Sequence, residues 1–189
     1  NLYQSQDEYA KAELLFLETR DIRKRVLGVE HPSYAISLNN LAGVYRSQGK
    51  YTEAESLYLE ALDTLKQVVG DQHPAYATSL NNLASLYDSQ GDYAKAEPLY
   101  LEACDIDKRV LGERHPKYAA TLNNLALLYW TQGDYAKAEL LYLEARDIWK
   151  RVLGEKHPSY AISLRHLAAL YASQGESAKA EPLFQASLD

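Results

Sequence analysis

A cluster of residues returns every 42 positions along this chain of 189 residues. His31, His73, His115 and His157 each precede a proline, and seven residues after each histidine stands a leucine: Leu38, Leu80, Leu122 and Leu164. Gly28, Gly70, Gly112 and Gly154 keep the same interval, and so do Gly49, Gly91, Gly133 and Gly175. Residues 73–114 and 115–156 align without a gap and match at 32 of 42 positions. A fixed period of this size means stacked supersecondary units, each burying its apolar face on its neighbours. The units fall near 31–72, 73–114 and 115–156, with partial units near 1–30 and 157–189. No linker or low-complexity tract interrupts them, so residues 1–189 read as a single repeat domain. Asn1–Tyr9 resembles Gly43–Tyr51, the middle of a unit, and Asp189 falls inside another. The chain is therefore expected to be an excerpt of a longer array.

Within a unit the apolar residues follow helical spacing. Leu38, Leu41, Ala42 and Tyr45 sit at i, i+3, i+4 and i+7. A second run follows Gly49: Tyr51, Ala54, Leu57, Tyr58, Ala61, Leu62 and Leu65. Pro32 suits a first helical turn, where its missing N–H costs nothing. Gly49 and Gly70 suit the left-handed residue that closes a helix. The spacing predicts helices over 32–48, 51–69, 74–90, 93–111, 116–132, 135–153 and 158–174, with one partial helix before, near 8–27, and one after. Pro98 and Pro182 lie five residues into second helices and predict an irregular first turn there.

The residues Leu38, Leu41, Ala42, Tyr45, Ala54, Tyr58 and Ala61 carry the small/large signature of the tetratricopeptide repeat, and the chain resembles that family. The 42-residue period, with HP-x-Y-A-x-x-L-N-N-L-A and L-G-x-x-H-P, is similar to the repeats of kinesin light chains and their bacterial relatives. The resemblance implies an all-α fold, a right-handed α-solenoid (superhelix) of antiparallel helix pairs with no strand. It also implies a non-enzymatic scaffold that holds an extended peptide of a partner protein in a concave groove.

Placed at about 100° per residue, the first helix of each unit has two faces. Leu38, Leu41, Ala42 and Tyr45 make the core side, and Ile36, Asn39, Gly43, Arg46 and Ser47 the other. The resemblance makes the second face the groove lining. Its positions vary between units: Ile36, Thr78, Ala120, Ile162; Gly43, Ser85, Leu127, Ala169; Arg46, Asp88, Trp130, Ala172. Ligand selection and free drift on a solvated face would both give such variation. Asn39, Asn81 and Asn123 stay constant until Arg165 replaces them. An amide both donates and accepts, so such a column can pair with a peptide backbone or tie neighbouring helices together. The resemblance favours peptide contact by Asn39, Asn81, Asn123 and Arg165, with Arg46, Leu127 and Trp130 supplying selectivity. Asn81, Asn123 and Trp130 are expected to be exposed. The adjacent column of Asn40, Asn82, Asn124 and His166 is expected to be structural.

Other chemistry finds little support. The histidines are too far apart for one ion at zinc–nitrogen distances and are expected to cap the helices that their prolines begin. Cys104, the only cysteine, has no partner and reads as a semi-buried structural residue in a reducing compartment. No catalytic group and no cofactor is expected, and the recurring tyrosines are expected in the core. A net charge of −6 and a pI near 5.4 argue against nucleic acid as partner. No apolar run approaches the length of a bilayer span, so no membrane is expected, and the localisation is expected to be cytoplasmic. The rival function is a spacer or regulatory arm acting by self-association. End-to-end contact is expected through Leu14, Leu15, Phe16 and Leu17 at one end and Leu183, Phe184 and Leu188 at the other.

Overall fold

The computed structural model describes the backbone of residues 2–188 and the side chains of residues 11–188. Asn1 and Asp189, the termini on which the expected truncation rests, lie outside them. The described residues form nine helices and no strand. Helix α1 covers Leu2–Leu27, α2 Pro32–Ser47, α3 Tyr51–Val68, α4 Pro74–Ser89 and α5 Tyr93–Leu111. Helix α6 covers Pro116–Thr131, α7 Tyr135–Leu153, α8 Pro158–Ser173 and α9 Ser177–Ala186. The seven helices expected from spacing agree to within one residue at each end. The first does not: α1 runs unbroken through residue 7, where a turn like that at Gly49 would fall. Asp7 occupies that glycine's place, and the left-handed residue that stops a helix there is missing.

Each first helix starts the same way. The Nδ1 atoms of His31, His73, His115 and His157 accept the backbone N–H two residues on, each at 3.1 Å. This satisfies one of the helix's orphan donors, and the following proline needs no partner. The helices end at glycines with left-handed backbone, as at Gly91 (φ 76°) and Gly133 (φ 81°). Helix α5 continues through Pro98 with no irregular first turn, starting at the same offset as α3 and α7. Pro98 and Ala94, the residue four before it, are both exposed, so the lost backbone bond faces solvent.

The chain divides into two compact units, Asn1–Leu99 and Tyr100–Asp189. In unit 1, α1 packs on α2, α2 on α3 and on α4, and α3 on α4; in unit 2, α6 packs on α7, α7 on α8, and α8 on α9. Short turns make consecutive helices antiparallel. Alanines fill the closest approaches: Ala42, Ala54 and Ala61 in unit 1, and Ala126, Ala138 and Ala145 in unit 2, all fully buried. Tyrosines space the layers. Tyr58, Tyr100 and Tyr142 are buried. Tyr87 donates to Glu55 and Tyr171 to Glu139, both at 2.6 Å. These are core positions, as their recurrence predicts.

Candidate functional site

The face opposite the core on the first helices is where sequence variation concentrates, and each unit builds it separately. In unit 1, Asn39 on α2 is only 7% exposed. Its Nδ2 donates to Ser79 Oγ on α4 at 2.6 Å, while its Oδ1 is buried with no donor. About two turns further along α2, Arg46 donates to Ser85 Oγ, again from α2 to α4. Between these ties lies a cavity of about 400 Å³. Phe16 of α1, Asn39, Gly43 and Arg46 of α2, Tyr58 of α3 and Asn82 of α4 line it. Gly43 keeps it open: a Cβ there would meet only the Tyr58 hydroxyl, at 3.7 Å. Burial pushes the Tyr58 phenol up, with the Arg46 guanidinium acting against that shift.

In unit 2, Asn123 on α6 is likewise 7% exposed. Its Oδ1 accepts from Nδ1 of His166 on α8, at 2.8 Å. Since an amide oxygen only accepts, His166 must carry its proton on Nδ1, the tautomer opposite to that of the capping histidines. The imidazole is tilted against the Tyr142 ring, 5.4 Å between centroids. Burial, and secondarily the charge of Arg165, hold the His166 pKa below its ordinary value. Trp130 Nε1 donates to Ser173 Oγ on α8 at 3.1 Å.

The expected exposure of Asn123 is corrected by this geometry. Neighbouring first helices approach closely along this column, and a short amide caught between them must find a partner. Asn39 and Asn123 therefore tie helix to helix. Asn81, Trp130, Arg46 and Leu127 are half-buried, and Arg165 is exposed. The flanking column also behaves less uniformly than expected: Asn40 is exposed, whereas His166 is the partner of Asn123. The Trp149 indole N–H donates to the Pro116 carbonyl of its own repeat at 3.1 Å.

Two features escape the sequence reading. One is the cavity at Gly43. The other is Asp107, a fully buried carboxylate that pairs with Lys117 at 3.0 Å and accepts from Thr121 at 2.9 Å. Its signal was present: the column Leu65, Asp107, Trp149 puts a charge where its neighbours have core residues. Cys104 is buried, and burial, then Asp107 and Glu144, push its thiol up to about 12. A group held protonated that firmly is a poor nucleophile. Among the described residues no cluster of His, Cys, Asp or Glu could hold a metal ion, and no helix is long and apolar enough to cross a membrane.

Histidine-capped helix pairs repeating at 42 residues, with alanines at the close approaches, define a helical-repeat class. A model of the tetratricopeptide repeat matches residues 1–67, 35–109 and 141–189, and a second such model matches 119–159. The chain belongs to the tetratricopeptide repeat family. Among solved structures it is similar to BtubC (BKLC) from P. vanneervenii, with 27% identity and a TM-score of 0.80, covering 98% of this chain and 74% of that one. It is also similar to the nearly identical tetratricopeptide-like repeats of a candidate kinesin light chain from Podosopora anserina. Two structures of these, one of them a point variant, give 27% identity, TM-scores of 0.76 and 0.73, and coverage of 98% of this chain and 87% and 88% of those. No curated protein sequence matches the chain significantly. The array is thus of the kinesin light chain type, a fold class that serves as a protein-interaction scaffold.

Proposed function

We propose that the chain binds extended segments of partner proteins on the variable faces of its first helices. The observation that carries this reading is the contrast within single helices. In α6 the core residues Leu122, Leu125 and Ala126 repeat those of α2 and α4, while Leu127 and Trp130 on the other face do not. In unit 2, Leu127, Trp130 and Arg165 would contact the segment. In unit 1, Arg46 and Asn81 would do so, and Asn39 and Asn123 hold the surface in shape beneath it. An aromatic anchor and a guanidinium are the side chains that concentrate binding energy at interfaces. Ordering a flexible segment costs entropy, so affinity should be modest. Selection from a random-peptide library, followed by fluorescence titration, tests this. Retained peptides should saturate the protein, and Arg165→Ala or Trp130→Ala should weaken at least one of them about fivefold or more. The reading fails if no peptide saturates, or if both variants leave every affinity unchanged.

A second reading, self-association, is favoured by one observation. Leu14 and Leu15 on α1 are 67% and 64% exposed, and Phe184 and Leu188 line an apolar cleft at α9. Uncovered apolar surface of this kind tends to find a partner. Sedimentation at rising concentration separates the readings: a strict monomer at high concentration removes the second and leaves the first.

A further inference from the structure

Helix α1 holds the place of a second helix. It packs on α2, the first helix of the following repeat, and among the described residues no first helix of its own lies against it. The alanines of α3 and α7 show what such a helix does. Ala54, Ala61, Ala138 and Ala145 are fully buried where first and second helix of a repeat meet. Their counterparts in α1, Ala12 and Thr19, are half-buried. The chain does not fold back over them, because α1 runs unbroken through Asp7. Beside them Leu15, Ile22 and Val26 are 64%, 44% and 68% exposed. These three and Thr19 fall within about 60° of arc at about 100° per residue. The order of residues along this stripe identifies its occupant, because it reads the same from either end. Leu15 and Val26 are equidistant from the bond between Arg20 and Asp21, and so are Thr19 and Ile22. Lys11, Glu18 and Arg25 follow one flank of the stripe, all exposed. Glu18 and Arg25 lie about 10 Å apart along the axis, too far to pair with each other. Neither belongs to an ion pair among the described residues. The other two arginines of α1 are engaged: Arg20 pairs with Asp21 at 2.7 Å, and Arg23 donates to the Ser33 carbonyl at 2.9 Å.

We propose that α1 pairs antiparallel with α1 of a second copy of this chain, in a two-fold symmetric dimer. The proposal gives the self-association reading above a specific form and rests on it. A two-fold axis beside the Arg20–Asp21 bond sets Leu15 of one copy against Val26 of the other, and Thr19 against Ile22. Each match occurs twice. The same axis turns the charged flank of one copy towards that of the other. Glu18 then lies about 3 Å along the helix axis from Arg25 of the second copy, and Arg25 likewise from Glu18. A parallel pair would instead set Glu18 against Glu18 and Arg25 against Arg25, and such flanking charges decide orientation. The antiparallel course is also the one a first helix takes on its second elsewhere in the chain. A surface that meets itself about a two-fold axis closes at two chains.

Sedimentation equilibrium of the whole chain at low salt, where exposed charges are least screened, tests this. The chain should pass from monomer to dimer as concentration rises, and stop there. Glu18→Arg or Arg25→Glu alone sets like charges together at two symmetry-related places. Either should raise the dimer dissociation constant about tenfold. An equimolar mixture of the two single variants should recover most of the lost affinity, because one copy then brings two arginines and the other two glutamates. Leu15→Glu, shown to be folded by its thermal melt, should remain a monomer. Assembly beyond two chains overturns the α1 pairing. So does a dimer that ignores both reversals, a mixture no tighter than its separate variants, or a folded Leu15→Glu variant that still dimerises. Each of these leaves the self-association reading standing, whereas a strict monomer at every concentration overturns both.

Discussion

Where unit 1 sets Asn39 beside Asn82 and Gly43, unit 2 sets Asn123 beside His166 and Leu127. The backbones around these residues are alike, with the same histidine caps, the same glycine stops and the same fully buried alanines. The consequences differ. In unit 2 the imidazole completes the asparagine's hydrogen bond and covers a tyrosine. In unit 1 the acceptor is left without a donor and a cavity opens. The repeat therefore separates two tasks. Alanine, leucine and glycine positions set the helix geometry, and the layer between neighbouring first helices is free to be packed shut or left open. That freedom is what lets one architecture serve many partners.

The largest effect that would break or sharpen this comparison comes from the asparagines themselves. Asn123→Ala should strand the half-buried His166 donor and cost about 1–3 kcal/mol, lowering the melting temperature by several degrees. Asn39→Ala should cost less, about 0.5–1.5 kcal/mol, since it removes one hydrogen bond together with an acceptor that had none. Equal losses in thermal melts would mean that Asn39 Oδ1 is satisfied in solution, and the contrast between the units would disappear.

Asn82→His tests the same contrast from the other side. Giving unit 1 the residue of unit 2 should restore the donor and gain about 0.5–1.5 kcal/mol. A destabilised variant would show that an imidazole does not fit beside Tyr58 as it does beside Tyr142. Gly43→Ala should follow, with a gain of about 0.5–1 kcal/mol. Gly43 is helical with no positive φ, and the added methyl would meet only the Tyr58 hydroxyl. Loss of stability there would show that the cavity is narrower in solution.

The period made the helices legible to within a residue, because the stops are chemical. A histidine cap, a proline and a left-handed glycine leave little choice of boundary. The faces of α2 and α6 were legible too, as a core side and a variable side. The fate of the asparagine column was not. Whether Asn123 points to solvent or to a neighbour depends on the distance between first helices, which no residue on one helix reports. The cavity was hidden for the same reason. The column Gly43, Ser85, Leu127, Ala169 was visible, but its meaning needs the residue facing it, and the periodic pairing of 43 with 58 and 82 is a fact of packing. Asp7 in place of a glycine shows the converse, where one missing stop residue let α1 run on.

The smallest effect is a pH dependence confined to unit 2. His166 has a folded pKa below its ordinary value of 6.5, mainly from burial. The unfolded state then binds more protons than the native state as pH falls through about 6.5 toward the folded value. Stability is fully present above that window and lost within it. The loss should be partial, because an imidazolium still donates from Nδ1 to Asn123 and mainly the burial of charge opposes it. Arg165 adds to that opposition, and Tyr142 and Asn123 are the uncharged groups facing the ring. Each unit holds two capping histidines in the same 3.1 Å cap geometry, so the difference between units isolates His166. Hydrogen exchange at pH 7 and then pH 6 should show the protection of α6–α8 falling more than that of α2–α4. His166→Asn, which gives unit 2 the residue that unit 1 already has, should bring the two into line. If the units respond equally in the unaltered protein, then His166 is solvated rather than buried against Tyr142, and the closed state of unit 2 is wrong.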